Sequence, residues 1–248
     1  LDARAAVGTE LVGGRTVLGT LRSDPPLTLR QTGHGTVHLV STAAGPLGGD
    51  RLELAVDVAP HTTLEIASVA STLVLPGNGE SLTVVEARVG AGATLRYAPE
   101  PTVLAAGCAH RMVVRLVLEE GASVSWREEI VFGRYGERPG TCHSRFDATI
   151  GGVPLLRQEF VVGDPAVDGS PAVYGDARCV GSVLLAGPAF GHPGPGNGGR
   201  PGNPRGHASV IAEGCAVLPL AGPGTLVSAL APDAATLRAR LTWGLGRS

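Results

Sequence analysis

Val58-Ala-Pro-His-Thr-Thr-Leu64, Val89-Gly-Ala-Gly-Ala-Thr-Leu95 and Leu118-Glu-Glu-Gly-Ala-Ser-Val124 share one pattern. In each, an apolar strand end runs into a tight turn, then a Thr or Ser, then a new apolar strand. The anchors Leu64, Leu95 and Val124 are 31 and 29 residues apart, and each unit goes on to a glycine: Gly77, Gly107 or Gly133. A strand-and-turn unit recurring about every 30 residues predicts stacked β layers, each covering the apolar face of the next.

Around these units the chain alternates. Leu52, Leu54, Val56 and Val58 interleave with Glu53, Ala55 and Asp57, the two-residue period of a half-buried strand. Residues 82–89, 112–118 and 155–161 read the same way, with Gly, Pro and Asn between them. The expectation is an all-β chain, a β-helix-like stack of short strands, with a two-sheet β-sandwich as the alternative. A short C-terminal helix is predicted over 232–243. Pro232 suits its first position and Asp233 the positive end of its dipole. Ala234, Leu237 and Leu241 form its apolar stripe and Gly244 its stop, so that it caps the β body. Residues 187–206 hold 8 Gly and 5 Pro, which predicts a mobile surface loop with nothing apolar to bury. The whole of 1–248 reads as one domain.

Composition removes several classes of function. All 20 basic residues are Arg, so phosphate-binding loops, Schiff-base chemistry and kinase chemistry that depend on a Lys are excluded. A net charge of −2 and only nine aromatics (Phe 4, Tyr 3, Trp 2) speak against nucleic acid as a partner. Cys108, Cys142, Cys179 and Cys215 form no C-x-x-C pair and read as buried free thiols of a reducing compartment. The first residues carry no apolar run of a signal peptide, and the uncharged stretch 215–232 is broken by Gly and Pro. The expectation is a cytoplasmic chain without a membrane partner.

Hydrolase signatures are missing: there is no G-x-S-x-G and no H-E-x-x-H. His34 and His38 have helical ligand spacing but flank a strand entry, and Cys142 and His143 are strand neighbours that face opposite ways. The carboxylates carry more. Asp50 opens a strand after Gly48-Gly49, Glu100 lies between Pro99 and Pro101, and Glu128 and Glu129 sit within an apolar strand. Glu100 and Glu129 both lie five residues beyond a repeat anchor, so stacking would bring them together. Asp147 and Glu159 are further acids on predicted strands. Acids in such settings pair with Arg, and Arg127, Arg145 and Arg157 are at hand. Alternatively they form a hydrated acidic path for a divalent cation, because oxygen ligands release such ions. Gly133-Arg-Tyr-Gly-Glu137 reads as a charged turn or a docking surface.

At these residues the sequence resembles the urease accessory proteins of the D/H type. The resemblance rests on Gly45-Pro-Leu-Gly-Gly-Asp-Arg-Leu-Glu-Leu54, Pro99-Glu-Pro-Thr-Val-Leu104 and Gly133-Arg-Tyr-Gly-Glu137, in the family's order and spacing. It covers most of residues 8–243. It implies a β-helix-like fold without enzymatic activity, and partnership with the F-type accessory protein, the G-type GTPase and apo-urease. It also implies nickel, transiently and weakly bound, guided through the interior to the urease metallocentre. By motif the metal contacts fall on Asp50, Glu100, Glu128 or Glu129, and less directly on Asp147 and Glu159. Arg134, Tyr135 and Glu137 fall on the partner interface. The chain departs from the family at Ser71-Thr-Leu-Val-Leu75, where an aromatic or Lys-Tyr is usual, and in the loop 187–206. A reading outside this family is a β-helical polysaccharide-active enzyme using paired carboxylates.

Overall fold

The computed structural model describes residues 1–192 and 209–248. The chain enters through two antiparallel hairpins, β1 (Asp2–Val12) with β2 (Arg15–Arg22) and β3 (Leu27–Gly33) with β4 (Thr36–Ser41). It then coils. β5 (Arg51–Val58), β6 (Thr63–Ser68) and β7 (Thr72–Val74) make one turn, and β8 (Ser81–Val89), β9 (Thr94–Ala98) and β10 (Thr102–Leu104) the next. β11 (Ala109–Leu118) and β12 (Ser123–Val131) make a third, and β13 (Thr141–Ile150), parallel to β11, opens a fourth. After the antiparallel β14 (Val153–Val162) and the single turn α1 (Pro165–Asp168) come β15 (Cys179–Ala186), β16 (Val210–Ala212), β17 (Cys215–Pro219), β18 (Gly224–Ala231) and the helix α2 (Ala234–Leu245).

Two sheets result. The first runs β14-β13-β11-β8-β5-β1-β2 and the second β16-β17-β18-β15-β12-β9-β6-β4-β3. Their centres are parallel ladders, β1-β5-β8-β11-β13 and β4-β6-β9-β12, the pairing that a coiled chain produces and hairpins cannot. The stack of about four coils is the β-helix-like fold, and the sandwich alternative gives way to it.

The repeat explains the register. Leu64 pairs with Leu95 and Leu95 with Val124, so the three anchors lie directly over one another, all at 0% exposure. The turns before them need one left-handed residue each: His61 at φ 60, Gly92 at φ 65 and Gly121 at φ 79. Two of the three use the residue that adopts this conformation freely. Between the sheets the stacked apolar faces form the main core, with Trp126 stacked on Tyr97 at 4.0 Å and set edge-on to Phe146 at 5.6 Å. All four cysteines are free and buried.

Two expectations need correction. α2 lies across the outer face of β15, β17 and β18 rather than over an end of the stack, seated by Leu237 and Leu241. Asp233 is its N-cap, accepting from the Thr236 amide at 2.8 Å, so Pro232 precedes the cap and does not take the first helical position, and Gly244 lies inside the helix. A Cβ there would stand 2.4 Å from Val227, so this glycine serves close packing and Gly246 follows the last turn. The Gly/Pro segment 187–206 lies mostly outside the described residues. Its start is a 3-10 turn, Pro188–Phe190, whose Phe190 packs on the second core cluster and beneath Arg96, 4.9 Å from the ring centre. That stretch therefore does have an apolar residue to bury.

Candidate functional site

Strand parity sorts the acids of β12. Val124, Trp126 and Glu128 point between the sheets, whereas Arg127 and Glu129 point to the far face, which α2 and its neighbours cover. Both faces of the strand are thus shielded, and Glu128 and Glu129 are 7% and 4% exposed.

Glu128 lines a cavity of about 180 Å³ between the sheets. The far wall comes from Leu52, Thr83 and Val85, and from His110, Met112 and Val114 on β11; Tyr97 and Trp126 flank the carboxylate. The cavity reaches the surface where Ser41, Val69, Ala70 and Ser71 are exposed along its lining. Ser71 begins the segment in which the sequence departs from its family resemblance. Glu100 lines the same cavity, and Glu129 borders it although its carboxylate is turned to the far face, toward Arg238.

Glu128 Oε2 is buried without a hydrogen-bond partner. Burial pushes its carboxyl up to about 7, and Trp126 beside it opposes the rise only in part. Tyr97 is raised by burial and then by the charge of Glu128. His110 shares a 2.8 Å hydrogen bond between Nδ1 and the Ser81 hydroxyl, which also reaches the Ala109 carbonyl. With that hydroxyl donating to the carbonyl, Nδ1 carries the ring proton and Nε2 keeps a lone pair. Burial lowers His110 to about 4 against the pull of Ser81 and Glu80. The cavity therefore holds a neutral imidazole, the chain's one thioether and a carboxyl poised to gain or lose its proton near neutrality.

Stacking brings Glu100 and Glu129 together through a residue from the end of the chain. Arg238 on α2 gives Nη2 to Glu100 Oε2 at 2.5 Å and Nε to Glu129 Oε2 at 3.2 Å. Arg127 Nε lies 3.1 Å from Glu129 Oε1, off the line of a hydrogen bond. Its Nη2 is engaged by the carbonyls of Ala98 and Pro99.

The other sequence candidates stand apart from the cavity. Asp50 closes its own turn, accepting from the Leu47 amide at 2.9 Å and meeting the Leu1 nitrogen at 3.1 Å. Its turn supplies Gly45 and Pro46 to the cavity wall. Asp147 and Glu159 are on the outer face of the first sheet. Arg145 grips Asp147 at 2.7 Å and holds its carboxyl below the usual range, and Glu159 faces Arg145 and His143 at 3.6 and 3.4 Å. Arg134 and Glu137 pair across their turn, holding Glu137 down at about 2, and Tyr135 is fully exposed at the tip. Arg178 fastens the turn from below through the carbonyls of Phe132 and Glu137.

His110 and Arg238 were not among the sequence candidates. His110 had a signal: it is in phase with Met112, Val114 and Leu116, the inward residues of β11. Arg238 had none, because its partners are 109 and 138 residues away. Among the described residues no group of three or more His, Cys, Asp or Glu is placed to hold a metal ion, and no helix is long and apolar enough to cross a membrane.

A family model described as UreD urease accessory protein matches residues 1–247. The chain is 41% identical to a urease accessory protein UreD of Frankia casuarinae, covering 98% of this chain and 88% of that one. It is 41% identical to one from Frankia alni, over 92% and 87% of the two chains. Urease accessory protein UreD 1 of Saccharopolyspora erythraea is 35% identical over 99% and 95%.

Proposed function

The chain belongs to the UreD urease accessory protein family, and from that premise we propose that it is a non-enzymatic scaffold that passes nickel, as cargo, through the cavity between its sheets. Family membership gives the role in urease maturation; the path, the partners and the cytoplasm as compartment belong to the proposal. The observation that carries it is Glu128, a buried carboxylate with an oxygen left without a partner, facing a cavity that reaches the surface.

An isolated buried carboxylate is costly unless something compensates it, and its raised protonation range shows how it is tolerated when alone. A divalent cation entering the cavity favours the ionised form and displaces the proton. When the cation leaves, the proton returns. One carboxylate with one neutral imidazole and a thioether nearby forms no closed cage, so it can hold a cation briefly and let it go. Partner binding by the F-type and G-type accessory proteins and apo-urease is assigned to exposed ground. The tip residue Tyr135, braced by the Arg134–Glu137 pair, is the best-formed anchor.

The test is Glu128→Gln, which keeps the shape and removes the charge. Co-expressed with urease and the other accessory proteins at limiting nickel, it should lower urease activation at least tenfold while the circular dichroism spectrum is unchanged. Activation at the wild-type level would overturn the path.

A further inference from the structure

Arg238 is the cation already bound to two of the acids that border the cavity, although it does not itself line it. Its guanidinium spans Glu100 and Glu129, two carboxylates from successive coils. Glu129 has 0% side-chain exposure and leaves Oε1 without a hydrogen bond. Glu128, on the other face of the same strand, leaves Oε2 unpartnered in the same cavity. The carboxylate oxygens here are therefore undersupplied with donors, although two arginines are present.

The two arginines are held differently. Arg127 is 27% exposed and fixed by two backbone carbonyls besides its ion pair. Arg238 is 39% exposed, and both of its described partners are these two carboxylates. Its helix does not depend on it. α2 is seated by Leu237 and Leu241 over Gly181, where a Cβ would come within 3.2 Å of both leucines, and is capped by Asp233. Arg238 can thus swing outward into solvent while the helix stays in place. With Arg127 and Arg238 both present, Glu100 and Glu129 are neutralised, two charges against two. With Arg238 withdrawn, one net negative charge remains, and both carboxylates lose the hydrogen bonds that Arg238 gave them.

We propose that Arg238 is a tethered counter-ion that closes the Glu100–Glu129 side of the cavity, and that a divalent cation gains this position only by displacing it. This rests on the nickel-path reading and adds its control: the C-terminal helix sets how readily the acids accept cargo. Arg238 is a positioning residue, and removing it strengthens cation binding where removal of an ordinary structural ion pair would weaken or not change it.

The experiment is titration of the purified full chain with nickel chloride, followed by calorimetry. Arg238→Gln should bind the ion at least fivefold more tightly than the wild type, and Glu100→Gln on that background should abolish the gain. Arg238→Lys, which keeps the charge but cannot bridge two carboxylates with one planar group, should fall between. Equal or weaker binding by Arg238→Gln, with the helical circular dichroism signal retained, overturns the proposal. Should Arg238→Gln fail to fold, absence of any gain in Arg238→Lys overturns it equally. The nickel path itself is judged separately by activation with Glu128→Gln. A gain in binding beside undiminished activation would keep the counter-ion and remove the path.

Discussion

β12 and β13 follow one another in the chain, and each carries acids among apolar residues, yet their carboxylates end in opposite surroundings. On β12, Glu128 faces inward beside Trp126, and even its outward neighbour Glu129 is sealed, because α2 covers that side of the second sheet. On β13 the buried residues are Cys142, Ser144, Phe146 and Ala148, so Asp147 points outward from a sheet whose outer face is open, with Arg145 and Arg157 beside it. A carboxyl group is a buried, unpartnered one in one place and a screened ion pair in the other. What decides between them is parity along the strand and whether a helix covers the sheet, not the strand's own composition.

The contrast requires that the inner face of β12 be part of a rigid core. Trp126 is 1% exposed, stacked on Tyr97 and edge-on to Phe146. Trp126→Ala should cost about 3–5 kcal/mol in urea unfolding, the usual range for a buried aromatic cut to Ala. A cost under about 1 kcal/mol, the range of exposed positions, would mean that β12 is no better buried than β13, and the comparison would collapse.

A finer test uses pH. Glu128 sits at about 7 in the fold against an ordinary 4.5, so the folded chain holds its proton more tightly than the unfolded one. Its contribution is complete below pH 4.5 and is lost as pH rises through 7. His110 is depressed from 6.5 to about 4, so its contribution is complete above 6.5 and lost as pH falls through 4. The two slopes oppose each other between pH 4.5 and 6.5. Glu128→Gln removes one of them. The stability difference between variant and wild type should grow from pH 4.5 to 7, level off above that, and reach about 3 kcal/mol in favour of Gln, at 1.36 kcal/mol per pKa unit. A difference that stays constant with pH would show that Glu128 is hydrated like the outer acids.

How much of this could be read beforehand follows from the range of the interactions. The coil stack was legible because its causes are local: turns with one left-handed residue, anchors at near-constant spacing, alternation along each strand. The meeting of Glu100 and Glu129 followed from the same arithmetic, both lying five residues past stacked anchors. Parity could also have separated Glu128, in phase with Trp126, from Glu129, and placed Asp147 out of phase with Phe146. The motif alone leaves Glu128 and Glu129 as alternatives and keeps Asp147 and Glu159 as less direct candidates. The position of α2 was not legible. Its apolar stripe said that it packs, but the surface it packs on joins the adjacent β17 and β18 to the distant β15 and its Gly181. Arg238 went unseen for that reason.

The smallest expected effect tests the outer side of the comparison. Asp147→Asn with Glu159→Gln removes both outer acids while keeping their shapes. Asp147 is held below its usual range chiefly by Arg145, so its contribution is present above pH 3.8 and lost only as pH falls through the still lower folded value. Nothing near neutrality should depend on it. Exposed pairs such as these contribute about 0–1 kcal/mol and are screened by salt. The double variant should therefore unfold within about 1 kcal/mol of the wild type at pH 7, and the gap should narrow further in 0.5 M salt. Urease activation at limiting nickel should be unchanged, because neither acid lines the cavity. A tenfold loss of activation with stability intact would place the outer face on the cargo's route, and burial would no longer be what distinguishes an acid that handles nickel from one that does not.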